Sequence, residues 1–393
     1  DNYTSFLFGT ARFLVNLQVE QLFPDENDEK YNIIQKSEWK ERIIYICWGE
    51  KRKRQLLAKG VEEKQLVVAG AAHLDFLALP LRSCYKKRTE IAKIYEIDPF
   101  KRWNIFVSSY TYADIPEKEL RWIIQTRGQI EESAAADIYT MAEVSQRSRT
   151  ITLEWIERYL LECPEEIFIY RPHPGEHQNR KMREMVCKFP GRFFMIASEP
   201  LQQWLLVTDI IDLWLSTTIV DVWKVKKPCV LVQPMLPPDY FVPETVDCTM
   251  AVRNYESFKK AHQSREGVAA KYFPGKQEVM EDAYSFFLRP AYKSICDMVG
   301  ILLEKDTEET IPTKFKWRSI FTKWYIKQVL IAFFACWRVK PSRLLPFIRG
   351  KFQPAEEEAL ERDDIFFCDS EKELYHKIRK IVLANSSIAK LYL

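Results

Sequence analysis

Short apolar runs recur along this chain, and most of them end in polar residues and give way to a segment whose apolar positions repeat with helical spacing. Arg42 to Cys47 reads as a strand, Trp48-Gly49 as a turn, Lys51 to Lys59 as a helix stopped by Gly60, and Gln65 to Ala69 as a strand leading into Gly70-Ala71-Ala72-His73-Leu74-Asp75. Residues 81 to 102 read as a helix and a polar crossing segment. A second block then opens at Asn104 to Val107 and continues as an interrupted helix over about 117–162, a strand at 167–170 and a helix at 178–188. It goes on through a strand at 193–197, a helix at 199–208, a strand at 210–215, a helix at 219–225 and a strand at 229–233. After Pro243 the pattern turns helical, with Val279 to Leu303 a long amphipathic candidate. A last unit pairs the run Ile365 to Cys368 with a helix capped by Asp369 and reaching Leu383. Strands alternating with helices predict parallel sheets with right-handed crossovers, hence an α/β fold of two Rossmann-like blocks.

Ligands of such sheets bind beyond the carboxyl ends of the strands, so the strand ends are where chemistry is expected. One run, Ile167 to Tyr170, stops at Arg171-Pro172-His173-Pro174-Gly175-Glu176, where prolines on both sides of His173 limit the loop's backbone freedom. About forty residues later Ile210 to Leu215 runs into Ser216-Thr217-Thr218 at the start of a helix, a place suited to anions. Taken as neighbours, the two strand ends offer a cationic loop and a hydroxyl-rich one, whose simplest common partner carries a phosphate. Ser108, Ser109 and Tyr110 end the second block's first strand and are expected to face the same ligand. The plain alternatives are a loop histidine bonded to a backbone carbonyl and an ordinary hydroxyl cap.

The 393 residues suffice for two or three domains, and 47% hydrophobic content indicates filled cores. No repeat of 20 to 50 residues is visible. The nine cysteines show no C-x-x-C and no framework spacing, which fits a reducing, cytoplasmic setting. Residues 1–98 form a first block shorter than an ordinary domain, expected to be incomplete; 99–310 form the second; 311–393 hold a basic aromatic segment and the closing strand and helix. From Thr313 to Lys351 there are ten basic residues and no acidic one, so without those charges the remainder of this +3 chain is net −7, a poor match for nucleic acid. The same stretch carries Trp317, Trp324 and a nine-residue apolar run, Val329 to Trp337, too short to span a bilayer, which takes about 20 residues, but suited to an anionic membrane surface or to packing on its own domain.

Several classes lack their signatures. There is no G-x-x-x-x-G-K-[ST], no G-x-G-x-x-G after a strand, no G-x-S-x-G elbow and no strand ending in Asp-x-Asp. A site without a metal ion must stabilise a departing phosphate with His, Arg, hydroxyls and helix dipoles, the inventory of the two loops.

The Tyr-Arg-Pro-His-Pro-Gly-Glu stretch, the Leu-Ser-Thr-Thr-Ile-Val-Asp element, Lys227 to Leu231 and the segment Val68 to Asp75 together resemble bacterial capsule and O-antigen glycosyltransferases of the two-lobed GT-B type. The His-Pro and Ser/Thr motifs are similar to those of β-Kdo transferases and polysialyltransferases; the likeness spans roughly residues 40 to 235. It implies two Rossmann-like domains with a cleft between them and transfer of an acidic sugar, Kdo or sialic-acid-like, from a CMP-sugar to a lipid-linked or polymeric glycan. No metal or cofactor is implied, and the enzyme would sit peripherally on the inner face of the cytoplasmic membrane. Position by position, the resemblance puts Arg171, His173 and Pro174 at the donor phosphate or nucleotide, and Ser216, Thr217 and Thr218 on the phosphate or sugar carboxylate. Asp221, one turn into the helix, would face the donor, binding ribose or acting as nucleophile. Glu131 and Glu132, followed by Ser133, are similar to an acidic-pair motif of polysialyltransferases whose next residue is Gly, and would supply the general base. His73 stands where the family usually carries Arg. The alternative donors are CDP-glycerol and CDP-ribitol, used by polyol-phosphate transferases with a similar His-Pro loop; a third reading is a non-catalytic subunit of glycan assembly.

Overall fold

The structure, a computed structural model, describes residues 14–17, 43–126, 132–177, 179–239, 242, 251–264, 277–285, 290–304, 374 and 376–381. Two compact units divide the chain, both of Rossmann-like α/β build.

The first unit holds a three-stranded sheet in the order β1-β2-β3, all parallel: β1 Leu14–Asn16, β2 Ile43–Cys47 and β3 Leu66–Val68. Helix α1, Glu50–Ala58, crosses from β2 towards β3. Gly60 ends it with φ +79°, which places the N–H of Val61 on the carbonyl of Leu56 and that of Gly60 on Leu57. Glycine reaches this backbone shape without a Cβ penalty, and the accompanying apolar contact is present because Val61 and Leu56 share one cluster with β2.

The second unit runs from Ala71 to Phe287. It begins with the short helix α2, Ala72–Asp75, and α3, Arg88–Tyr95, and then builds a six-stranded parallel sheet. Its strands are β4 Arg102–Val107, β5 Glu166–Arg171, β6 Phe193–Met195, β7 Ile210–Leu213, β8 Cys229–Val232 and β9 Ala251–Val252. The helices between them are α4 Glu117–Thr126, α5 Glu132–Glu162, α6 Arg180–Lys188, α7 Leu201–Val207, α8 Ile219–Val225 and α9 Tyr255–Gln263, followed by α10, Gln277–Tyr284. β4, β5 and β7 are buried on both faces, as expected of strands covered by crossover helices. Helix α11, Ala291–Glu304, belongs to the first unit.

The expected joint at residue 98 differs from the division at 70/71. Residues 86–95 are fastened to the second unit by specific bonds. The guanidinium of Arg88 lies 4.2 Å from the ring centroid of Trp103 and donates to the carbonyls of Pro99, Lys101 and Val207 and to Asp209. The side chain of Gln203 exchanges two hydrogen bonds with the backbone of Lys86, whose ammonium pairs with Glu199 at 2.8 Å.

Three expectations change with the strand order β6-β5-β4-β7-β8-β9. The strand tips after β5 and β7 are not neighbours, because β4 lies between them and pairs with both. The Val279–Leu303 helix is two helices, α10 and α11, and Ser285, just after α10, has φ +47°. Between β8 and α10 the chain adds the edge strand β9 and helix α9, whose N-cap Asn254 accepts from the N–H of Ser257. The strand expected at 365–368, the basic segment 313–351 and Asp369 lie outside the described residues.

Within the core, α9 packs against the sheet and buries His262 against Asp212 of β7, with Nε2 3.0 Å from Oδ2 and Nδ1 2.9 Å from the Phe258 carbonyl. Burial opposes protonation of this ring, but the charge and hydrogen bond of Asp212 outweigh it, and the pKa is raised. Since the folded value lies above the unfolded one, the stabilisation is complete below the unfolded pKa of about 6.5 and is lost as pH rises through the folded value. His262→Phe should cost about 3–5 kcal/mol at pH 6 by leaving Asp212 buried and unpaired. Urea midpoints measured across this range should show the wild-type stability falling with pH relative to the variant; a constant gap would refute the linkage.

Candidate functional site

The order β6-β5-β4-β7-β8-β9 makes β4 the starting strand, with the chain winding first to one side and then, from β7, to the other. The reversal between β4 and β7 is the switch point at which open α/β sheets bind ligands. Since parallel strands lie about 4.8 Å apart, the tips of β5 and β7 stand about 9–10 Å from each other, with the tip of β4 between them.

That middle tip is a fastening. The hydroxyl of Ser109 donates to the carbonyl of Trp214, and the Tyr110 ring packs on the Trp214 ring with centroids 4.5 Å apart, so β4 and β7 are joined across the switch point. Tyr110 is fully buried, with its hydroxyl 2.9 Å from that of Thr152 on α5, and Ser108 is buried with its oxygen accepting from the N–H of Tyr110. Ser108 and Tyr110, expected to meet the ligand, are thus buried with their hydroxyls bonded inside the protein, while Ser109 is half-buried and donates to Trp214.

The His173 loop is held from beneath by a buried ion pair. Glu176, 3% exposed, accepts from the hydroxyl of Tyr170 at 2.7 Å and from the N–H of His173 at 3.3 Å, and faces the guanidinium of Arg149 at 3.3 Å. Ser108 Oγ lies 3.0 Å from the same tyrosine hydroxyl. Arg149, from the middle of α5, also pairs with Asp114 and donates to the carbonyl of His177 at 2.7 Å. Burial pushes the Glu176 carboxyl above the usual range, against the pull of its hydrogen bonds and of Arg149. Helix α5, the β4 tip, β5 and the loop are thus wired to one carboxylate.

His173 itself is exposed at the top of the loop. Its Nδ1 accepts from the N–H of Gly175 at 3.0 Å, an arrangement available only to the neutral ring, so the proton sits on Nε2 as an outward donor. Desolvation by the surrounding loop lowers its pKa in the same direction. Pro174 is exposed beside it. Arg171 ends β5 but donates to the carbonyls of Ala197 and Ser198, both at 3.0 Å, on the β6 side of the sheet. It secures the connection after β6, and its direction is away from β7.

After β7 the backbone turns sharply, with Leu215 at φ +31°, and α8 begins. Ser216 Oγ accepts from the N–H of Thr218, and the first N–H groups of α8 bond to the carbonyls of Ser216 and Thr217. The hydroxyl of Thr218 makes no cap bond, and Ser216 and Thr217 are half-buried. Asp221 lies on the first turn of this helix with its carboxylate 8% exposed and 3.9 Å from Nε2 of His73 on α2, whose side chain is 33% exposed. Burial raises the Asp221 pKa to about 7 and lowers that of His73 to about 4. Glu131 and the side chain of Glu132 lie outside the described residues. Among the described residues, no group of three His, Cys, Asp or Glu could hold a metal ion.

Arg149, Asp114 and the anchoring role of Glu176 were not anticipated from the sequence, nor was the approach of His73 to Asp221. No family model and no curated protein matches this sequence. Among solved structures, it is similar to the wall teichoic acid polymerase TagF, at 12% identity and a TM-score of 0.44 over 68% of this chain and 58% of that one. It is also similar to the UDP-GlcNAc 2-epimerase of Methanocaldococcus jannaschii, at 16% identity and a TM-score of 0.37 over 66% and 61% of the two chains. The chain therefore spans about three-fifths of the length of these solved structures. Among the described residues no helix is long and apolar enough to cross a membrane.

Removing one member of the buried pair strands the other. Arg149→Met should lower stability by about 3–5 kcal/mol, while adding Glu176→Gln should recover part of that loss, a coupling of about 1 kcal/mol or more read from urea midpoints of the two single variants and the double. Additive losses would show that the pair does not hold the loop.

Proposed function

We propose that this chain is a transferase that binds a nucleotide-activated donor at the switch point of its second unit and passes a sugar or polyol phosphate to a surface-glycan acceptor. The observation that supports this reading best is the pairing of an exposed, neutral His173 with the half-buried hydroxyls of Ser216 and Thr217 on strand tips flanking the β4–β7 reversal. Hydrogen-bond donors aimed at a departing phosphate stabilise the charge that develops there. A separation of about 9–10 Å suits a ligand larger than one phosphate, such as a nucleotide with its attached group.

The motif resemblance supports a cytidine donor in two forms, a CMP-activated acidic sugar or a CDP-polyol. TagF is described by its name as a wall teichoic acid polymerase, and one of its structures was soaked with CDPG. Both donors leave a cytidine phosphate, so the site described here serves either. The acceptor in this proposal is a lipid-linked or polymeric glycan, with the basic 313–351 segment resting on the anionic inner membrane surface.

Incubation with CMP-Kdo, CMP-sialic acid, CDP-glycerol and CDP-ribitol, followed by assay of released CMP, should yield turnover with one of the two donor classes, and chelation of divalent ions should leave the rate unchanged. His173→Ala should weaken CMP binding by about ten- to a hundredfold in calorimetry, the worth of a hydrogen bond to a charged group. Unchanged affinity would remove His173 from the site, and silence across all donors would favour a non-catalytic subunit.

A further inference from the structure

Transfer to a hydroxyl acceptor needs a group that takes the hydroxyl's proton, and the second unit contains a carboxyl suited to that task. Asp221 is buried on the first turn of α8, three residues beyond Thr218, and its Oδ1 has no hydrogen-bond partner among the described residues. Such an atom is costly to bury unless a ligand or a neighbour uses it. The other oxygen, Oδ2, lies 3.9 Å from Nε2 of His73, a short movement away from a hydrogen bond. His73 reaches it from α2, at the start of the second unit, so the pair joins residues 148 positions apart in the chain.

Resting on the transferase reading, we propose that Asp221 is the general base of the reaction and that His73 is its positioning residue, presenting Nε2–H to the carboxylate and favouring its ionised form. In the step, the acceptor hydroxyl gives its proton to Asp221. The freed oxygen pair forms the bond to the transferred sugar carbon or polyol phosphorus, and the bond from that centre to the departing nucleotide phosphate breaks. Its electron pair leaves on the phosphate. The proton returns to water when the products depart.

The electrostatics fit a donor ring beside a base. Burial keeps His73 neutral above a pKa of about 4, so it cannot be a permanent cation for Asp221, and the same burial holds the carboxyl at about 7, where a base works best near neutral pH. Among the described residues, Gln202 on α7 lowers the Asp221 pKa by hydrogen bonding, and Tyr85, whose phenol is raised chiefly by burial, also feels the Asp221 carboxylate. Lys224, one turn further along α8, has its pKa lowered by burial, against the pull of Asp75 and Glu281.

The test uses the full chain with His73→Phe, which keeps the ring's bulk but removes the donor, and His73→Gln, which keeps a donor. Aspartate carboxyls labelled with carbon-13 are titrated by NMR, with Asp221→Asn to assign the signal, and the pH dependence of CMP release is followed with whichever cytidine donor turns over. Asp221 should titrate near pH 7 in the wild type. In His73→Phe the midpoint and the acid limb of turnover should move upward by about one pH unit, with the rate at pH 7 down about fivefold and the donor's dissociation constant unchanged. His73→Gln should restore both. Asp221→Asn should abolish the acid limb and reduce turnover by about a hundredfold or more. An Asp221 midpoint in the ordinary carboxylate range, or a His73→Phe profile identical to wild type, overturns the pairing while leaving the transferase reading in place. No CMP release from any donor, with Asp221 still titrating near 7 and responding to His73→Phe, overturns the base role and the transferase reading but not the pair.

Discussion

The buried pair of Arg149 and Glu176 is the constraint on which the candidate site depends. Taking a guanidinium and a carboxylate out of water costs several kcal/mol per ion, and their mutual attraction offsets this only when the remaining hydrogen-bonding capacity is also used. Here most of it is used: Tyr170 and the His173 N–H serve the carboxylate, while Asp114 and the His177 carbonyl serve the guanidinium. Each of those partners belongs to a different piece of the site. A pair that would be poor value as a source of stability thus fixes where β5 ends, how the His-Pro loop folds back and where the β4 tip sits against α5.

A second buried carboxyl, Asp221, has the opposite surroundings, and with Asp221 as the proposed base the contrast separates scaffold from chemistry. Glu176 is saturated with partners and faces a permanent cation; Asp221 has an oxygen with none and a neutral imidazole beside the other. In both, burial raises the pKa, but Asp221 lacks the permanent cation and the dense network that hold Glu176. Environments that push like groups into unlike states are how one fold assigns acid, base and anchor.

Much of the second unit was legible. Helix α8 occupies the span expected of it, 219–225, because hydroxyls precede it and Lys226-Lys227-Pro228 follows it, and both helix punctuation and strand hydrophobicity are local signals. Strand order is not local. All-parallel strands of similar composition can be wound in several orders, and the sequence contains no turn that says β7 returns to the far side of β4. Reading the His173 and Ser216 loops as neighbours was an error of that kind. β9, with two residues, is too short to leave a periodic trace. Arg149 was missed for a different reason: it lies in Ser145-Gln146-Arg147-Ser148-Arg149, which reads as a solvated helix face. In the fold Arg147 points outward with its side chain 61% exposed, while Arg149, two residues on and so on the other side of the helix, is 1% exposed. Only the acids it meets, 35 residues before it and 27 after, distinguish the two.

The sealed β4 tip also narrows what the site can be. A typical switch-point crevice lets a ligand's phosphate approach backbone N–H groups of the first strand's turn, helped by glycines. This chain places Ser108-Ser109-Tyr110 there, binds the serine across to Trp214 and fills the space with two aromatic rings. On the transferase reading, a ligand is kept above the base of the crevice and is held by groups that rise beyond it: the exposed imidazole of His173 on one side and the half-buried hydroxyls of Ser216 and Thr217 on the other. Recognition on that reading falls to side chains, whose spacing is set by the strands, and not to a glycine-rich backbone cradle. On the same reading, the closed tip accords with the lack of a G-x-G-x-x-G fingerprint and gives the His-Pro and Ser-Thr-Thr loops the phosphate-holding task that such a fingerprint performs elsewhere.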